Sequence, residues 1–558
     1  MRIKELFSNN EILNINTYLE KFGIQDYEEY ISPKGIYLQK PNVYNNIEQT
    51  PLIFNNWKNT NGIIYILQDC DADGLFSASL AYMYLVHIGI DKNRLKVLFH
   101  SDKTHGLTEE IIDIIGVDID IKTPQSGIWI PDAGTNDIEQ CAFLRQYMDV
   151  LITDHHQIEV DNNIAYIDEY PYSNYHTIIN NQYTDEFKVN KSLCGTGVTF
   201  KVIQYNCLLN KDYWYKDLLD MVSFANVADV MNMADYENRC FNYFGFKYIE
   251  NPLLKALCSE FISKEITPTS IAWNVIPKIN AVMRSNNQDL KRDLFNCMVG
   301  NINDYDKIVK NIKKQHEEQR NMTSKITDEV LETINLDSKV LIGFVSKTPY
   351  TGLVANKISS MFNKPTLIVH KTKDEYIGSV RSPIPFKKLS QKSELLTLCA
   401  GHENSYGIGF KASNLNNLIN YFESLELNIE PTYTVTKKLS LKENVNKIID
   451  KFIDYDELWG HGIPQPQFYI KINVNGEDIK ELGNGSTIKI TKNNLEFIKF
   501  FVSKDQRKKW FVGENKNLTL DIIGTLGYNV FRGKKTAQLQ IETMEVTERE
   551  NKNINDVF

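Results

Sequence analysis

The stretch from Gly62 to Gly74 constrains this chain more than any other. Gly62-Ile63-Ile64-Tyr65-Ile66-Leu67 is a continuous apolar run of strand length; it ends in Gln68-Asp69-Cys70-Asp71-Ala72-Asp73-Gly74, and a helical pattern follows from Leu75 to Ile88. The plan recurs twice. Gly127-Ile128-Trp129-Ile130 ends at Asp132, and Val150-Leu151-Ile152 ends at Asp154-His155-His156. Strands alternating with helices predict an α/β fold with a parallel, doubly wound sheet, in which ligands gather at the carboxyl ends of the strands. Three strands would deliver their polar residues to one edge.

Asp69-x-Asp71-x-Asp73-Gly74 has the opening spacing of an EF-hand calcium loop, which also needs a bidentate Glu at loop position twelve. Leu80 stands there, within an apolar helix, and a strand rather than a helix precedes the motif. Three carboxylates at alternate positions repel one another unless cations neutralise them, and hard divalent ions suit such crowding. Imidazole beside carboxylate favours Mn²⁺ over Mg²⁺. Strand-end Asp residues also serve as helix N-caps, but five Asp and two His converging on three strand ends exceed what capping needs.

These residues resemble the first three motifs of the DHH phosphoesterase family: Asp69-Cys70-Asp71-Ala72-Asp73-Gly74, Asp132-Ala133-Gly134 and Asp154-His155-His156. Asn226-Val227-Ala228-Asp229-Val230 with Glu237-Asn238-Arg239 resembles the fourth. Pro277-Lys278-Ile279-Asn280-Ala281-Val282-Met283-Arg284 is similar to a segment of the RecJ branch, the single-strand-specific exonucleases, with Met283 where that branch has Gly. Gly378-Ser379-Val380-Arg381-Ser382 and Ala400-Gly401-His402-Glu403-Asn404-Ser405-Tyr406-Gly407 resemble the DHH-associated domain. The resemblance implies two divalent ions held by Asp71, Asp73, Asp132, His155 and Asp229, with Asp69 as a nearby ligand or acceptor. It also implies a His156 that meets the scissile phosphate, and a phosphate clamp of Arg284, Ser379, Arg381 and His402. Thr104-His105-Gly106-Leu107 replaces the family's Gly-Tyr-Gly-Leu element, and a nearby arginine for the 5′ phosphate is missing; Lys103 is the substitute cation, without the bidentate fork of Arg.

The 558 residues divide into an N-terminal extension (1–55), a DHH domain (56–302), a connecting helix (303–335), a second, smaller α/β DHH-associated domain (336–428) and a C-terminal OB-like β-barrel (429–558). Residues 303–335 lack Gly and Pro and scatter apolar positions among dense charges, as a long solvated helix does. After Pro431, β-like runs at Phe468–Ile472, Thr487–Ile490, Leu518–Ile523 and Ala537–Ile541 alternate with Gly and Asn turns. A net charge of −9 argues against a protein that coats nucleic acid with its whole surface, yet Thr491–Leu520 holds seven basic against three acidic residues, interleaved with Phe497, Phe500, Phe501, Trp510 and Phe511. Such a track suits single strands, whereas any one of those rings is more often barrel core.

No apolar run reaches membrane-spanning length, the N-terminus carries no secretory h-region, and the eight cysteines form no CxxC pair. A cytoplasmic protein with reduced thiols is expected, a monomer with a single-strand-binding protein or helicase as candidate partners. The expected function is hydrolysis of single-stranded DNA, 5′ to 3′, to mononucleotides. A small-substrate phosphodiesterase of the same superfamily, acting on cyclic dinucleotides, very short RNA or pyrophosphate, is the first rival, and an inactive DNA-binding replication scaffold the second. The β-rich C-terminus argues against the first, and retention of every ligand position against the second.

Overall fold

The computed structural model describes residues 1–8, 10–35, 37–101, 104–120, 124–158, 176–183, 189–427, 432–483 and 485–548. They form two units, one of residues up to 35, 232–239 and those beyond 430, the other of the remainder.

The larger unit opens with the expected sheet. Strands β1 (Ile63–Gln68), β2 (Leu95–Phe99), β3 (Gln125–Pro131), β4 (Asp149–Asp154) and β5 (His176–Asn180) are all parallel, in the order β2-β1-β3-β4-β5. The chain goes from β1 to β2 on one side and then crosses to β3 on the other. That reversal opens a crevice at the carboxyl ends of β1 and β3, where Asp69–Asp73 and Asp132 stand. The apolar runs are continuous because both faces are covered. Ile64, Ile66, Trp129 and Leu151 pack towards α1 (Ala72–His87) and α2 (Gly195–Leu209), while Tyr65, Leu67, Ile128, Ile130, Val150 and Ile152 pack with Ile111, Ile115 and Leu144.

Helices α3 (Leu219–Ala228) and α4 (Ile276–Met283) complete this layer. Then α5 (Tyr305–Leu331), about 40 Å long at 1.5 Å per residue, seats Ile308 and Ile312 in the first core and Val330 in another. That second core is shared with β6 (Leu341–Val345), α6 (Thr351–Phe362) and β7 (Thr366–Lys371), whose sheet continues into β8 (Glu375–Arg381), β9 (Leu396–His402) and β10 (Ser405–Lys411). Their sheet runs β9-β10-β8-β7-β6, and only β6 and β7 are parallel. The second domain is therefore a mixed α/β sheet; β7–β8 and β9–β10 are joined by hairpins too short for parallel crossovers.

In the other unit a seven-stranded sheet is ordered Lys437–Leu439, Gln467–Asn475, Asn517–Phe531, Lys534–Glu548, Leu495–Lys499, Thr487–Lys492, Lys480–Leu482. All four expected β runs lie within it. The two longest strands form a hairpin over Arg532-Gly533, both at positive φ as a two-residue turn demands, with a register shift at Ile523/Gly524. Part of the N-terminal extension belongs here: Arg2–Glu5 pairs in parallel with Thr432–Val435, and Phe7, Tyr18 and Leu19 join the core of Ile470, Ile488 and Leu520. No described helix is long and apolar enough to cross a membrane, and all eight cysteines are free thiols, seven of them buried.

Candidate active site

Backbone donors hold three of the expected ligands, Asp69, Asp71 and Asp73. Asp71 caps α1, accepting the Gly74 N–H at 3.2 Å; the capping role falls on one of the expected ligands. Gly74 is required there, since a Cβ would lie 2.6 Å from the Asp69 carbonyl oxygen. Buried Asp73 accepts the N–H groups of Gly195 (2.8 Å) and Thr196 (3.0 Å) from the start of α2 and the Thr196 hydroxyl at 2.5 Å. Asp132 ends β3 at φ +65°, a left-handed conformation that turns its carboxyl group away from the strand direction, and its N–H donates to Thr153 O at 2.8 Å.

Asp132 Oδ1 is buried with no hydrogen-bond donor among the described residues and faces His155 Nε2 at 3.3 Å. The same nitrogen lies 3.4 Å from Asp229 Oδ2 and 4.0 Å from Asp73 Oδ2. Among the described residues, four groups of side chains bring their donor atoms within 4.8 Å of one another, and two of them consist of expected metal ligands alone, Asp73–His155–Asp229 and Asp69–Asp71–Asp132; the others are Asp132–His155–His156 and Asp69–Cys70–His105. Burial and then the charges of Asp73 and Asp71 drive the carboxyls of Asp132 and Asp229 well above the usual carboxylate range. Burial keeps His155 below its ordinary value and so neutral, the form that ligates metal. An orphaned carboxylate oxygen, mutually repelling acids and a neutral imidazole fit divalent cations.

Asp154, the first residue of the named triplet, is no member of these sets. Its buried carboxylate accepts the N–H groups of Thr135 (3.1 Å), His155 (2.7 Å) and His156 (3.2 Å), and His156 Nδ1 lies 2.8 Å away. Burial opposes charge on His156, yet the Asp154 bond outweighs it and raises the imidazole to about 9. Nδ1 is thus occupied, and Nε2 makes no hydrogen bond among the described residues, on a side chain half exposed.

His105 and His100 were not expected at the site. His105 Nδ1 sits 2.6 Å from Asp69 Oδ2, the Gly106 N–H donates to Asp69 Oδ1 at 3.3 Å, and buried His100 Nε2 lies 3.9 Å from that oxygen. Asp137 accepts the Leu107 N–H at 2.7 Å and so anchors the loop that departs from the family pattern. Lys103 lies outside the described residues. The only advance signal for His105 was that departure.

Arg284, at the end of α4, places Nη2 3.8 Å from Asp71 Oδ2. Burial and then the Arg284 charge lower the guanidinium of Arg381 on β8. Ser379 Oγ meets Thr351 Oγ1 at 2.9 Å, and Gly352, beside it, leaves room for the Arg381 guanidinium. Register aligns Arg381 with Ser405 and Ser405 with His402, so His402 stands exposed at the outer end of one row. Glu237 and Arg239, by contrast, take no part in the ligand sets. Arg239 is buried in the smaller unit, donating to Tyr30 O (2.9 Å), Ile31 O (2.8 Å) and Glu457 Oε1 (2.9 Å).

Residues 63–225 match the DHH family, N-terminal domain, and residues 438–543 the RecJ OB domain. A Bacillus subtilis (strain 168) protein provisionally named as an SPbeta prophage-derived single-strand DNA-specific exonuclease, YorK, is 27% identical over 96% of this chain and 97% of its own. The single-stranded-DNA-specific exonuclease RecJ of the same strain is 24% identical over 64% of this chain and 47% of its own. Among solved structures, Thermus thermophilus RecJ in complex with Mn²⁺ superposes with a TM-score of 0.74 at 16% identity, over 98% of this chain and 79% of that one.

Proposed function

We infer that this chain, which carries the domain pair of the RecJ-like DHH phosphoesterases, is a metal-dependent exonuclease that hydrolyses single-stranded DNA from the 5′ end to mononucleotides. The observation that carries the reading is the pair of ligand sets at the crevice between β1 and β3, joined by Asp132, which belongs to one set and faces His155 of the other. Asp71, Asp73, Asp132, His155 and Asp229, with Asp69 beside them, would hold two divalent ions, Mn²⁺ in preference to Mg²⁺. When bound, such ions neutralise the carboxylates, lower the pKa of an attacking water and stabilise charge on the phosphoryl oxygens.

The chain's own groups do the rest. Gly195 and Thr196 orient Asp73, and His105 orients Asp69, so the ligands are aimed before any ion arrives. His156, held at Nδ1 by Asp154, presents a protonated Nε2 to the scissile phosphate. Arg284 and Arg381, close enough for their charges to interact, favour an anion between them, and Ser379 lines the same wall. The RecJ OB match supports the strand-degrading reading over a small-substrate one, because a tiny substrate needs no external track. The free cysteines fit a cytoplasmic setting, a monomer is the assembly proposed, and a single-strand-binding protein or helicase is the partner class that would present the strand.

The test is digestion of end-labelled single- and double-stranded DNA and RNA with Mn²⁺ or Mg²⁺, reading product length over time. Mononucleotides released first from the 5′ end of single strands are expected. Endonucleolytic ladders, or turnover of cyclic dinucleotides alone, would overturn the reading.

A further inference from the structure

The five aromatics of the basic segment in the smaller unit separate into two kinds. Phe497 and Trp510 are buried in its core, and Phe511 packs against them with the Lys516 ammonium 4.2 Å from its ring centroid. Phe500 is 41% exposed and Phe501 92%. Leaving a large ring in water forgoes the gain of burying it, and the backbone adds a second cost. Ile488 pairs with Lys499, but the Val502 N–H donates to Ser486 O at 2.8 Å, one residue out of register, so Phe500-Phe501 forms a β-bulge. Phe501 adopts φ +59° there, a conformation that glycine takes freely and that strains a residue with a bulky side chain. A glycine at this bulge would relieve both costs, yet a phenylalanine is held out instead.

The surroundings identify the occupant. The next helix, Lys504–Lys509, turns exposed Lys504, Lys508 and Lys509 to solvent, while Arg507 is tied to Glu481 at 2.5 Å. The Phe500 and Phe501 rings meet at 6.4 Å with their planes tilted by 52°, so they do not stack face to face. We propose that the Phe500-Phe501 bulge is a base-stacking platform for single-stranded DNA on the smaller unit, with Lys504, Lys508 and Lys509 meeting the phosphates that flank the stacked base. This deepens the exonuclease reading and rests on it. A π-face contact tolerates every base, as an enzyme digesting arbitrary sequence needs, and a stacked base is worth about 1–3 kcal/mol, or roughly five- to hundredfold in affinity.

The experiment is fluorescence anisotropy with the full chain, chelated to prevent digestion, on a labelled oligothymidylate and on a backbone-matched abasic strand. Phe501→Gly should melt no lower than the parent, because it removes backbone strain, yet bind the oligothymidylate about five- to hundredfold more weakly. It should bind the abasic strand as the parent does. Phe501→Trp should restore affinity, and its emission should be quenched by the strand. Equal oligothymidylate affinity in the parent and Phe501→Gly, or an equal loss on the abasic strand, overturns the platform. So does an acidic, aromatic peptide that binds the parent and not Phe501→Gly while DNA affinity is unchanged, since the surface would then belong to a protein partner. If the parent binds no single strand at all, the exonuclease reading itself fails.

Discussion

Replacing Gly195 by alanine tests whether the ligand geometry is set by backbone approach. Gly195 opens α2 and donates to Asp73 at 2.8 Å, and a Cβ built on it would lie 2.6 Å from both Cβ and Cγ of Asp132. Ordinary contact begins near 3.4 Å, so the methyl group needs close to 1 Å of relief. Asp132 can swing away, or α2 can retreat and stretch its bonds to Asp73; either response displaces a proposed metal ligand. A misplacement of about 1 Å at a reacting centre costs roughly hundredfold in rate, near 2.7 kcal/mol. Stability should fall by only about 1–3 kcal/mol for overpacking, partly offset by the helix preference of alanine. The assays are initial rates on 3′-labelled single strands at saturating Mn²⁺, calorimetric Mn²⁺ titration and a thermal melt. Gly197→Ala is the control, because its methyl group would meet Leu193 rather than a carboxylate; it should lower stability and leave the rate of folded enzyme intact. Gly195→Ala turning over and binding Mn²⁺ like the parent would refute the reasoning.

Asp132→Ala should abolish cleavage while the chain still folds, because Asp132 lies at a strand end; residual wild-type turnover, or activity surviving exhaustive chelation, would sink the two-ion mechanism. With no arginine at the Thr104–Leu107 element, the preference for a 5′-phosphate over a 5′-hydroxyl should be about ten- to hundredfold weaker than that of a typical RecJ-like enzyme, one charge-assisted contact being worth about 1.5–3 kcal/mol. Initial rates on the two strands decide it, and an absolute 5′-phosphate requirement would contradict it. Arg239→Ala should destabilise the smaller unit by about 3–5 kcal/mol by denaturant titration, since it leaves two carbonyls and a carboxylate without their donor; a change below about 1 kcal/mol on that scale would show the network to be redundant. Lys504, Lys508 and Lys509 replaced together by Glu should flatten the salt dependence of strand binding. An unchanged slope would make them a merely solvated face.

Deleting the chain beyond Pro431 is a poor test of strand binding, because Arg2–Glu5 pairs with Thr432–Val435 and Phe7 and Tyr18 lie in the same core. Nothing local in the first 35 residues announces that partnership: they carry ordinary short helical patterns, and their companions are about four hundred residues away in sequence.

The strand-end acids, by contrast, were legible. A buried strand followed by Asp and then a helix is a short-range pattern, and its period and its breakers sit within a dozen residues. Three such units also foretold a parallel sheet, and β1, β3 and β4 deliver Asp69–Asp73, Asp132 and His155 as the pattern implied. Sequence could not choose which strands are neighbours, and that choice, the reversal between β1 and β3, is what brings Asp132 beside Asp69 and Asp71. Nor could it divide labour inside a motif: Asp154 anchors His156 while Asp132 Oδ1 meets no hydrogen-bond donor among the described residues, because only packed donors decide which carboxylate is satisfied. His105 reaches Asp69 because the loop after β2 folds back over β1, and Phe497 is buried while Phe501 is exposed because one bulge shifts the register by a residue. Composition and period are properties of neighbours along the chain and can be read there; pairing register and loop return arise only when distant segments close on one another, so the folded structure alone supplied them.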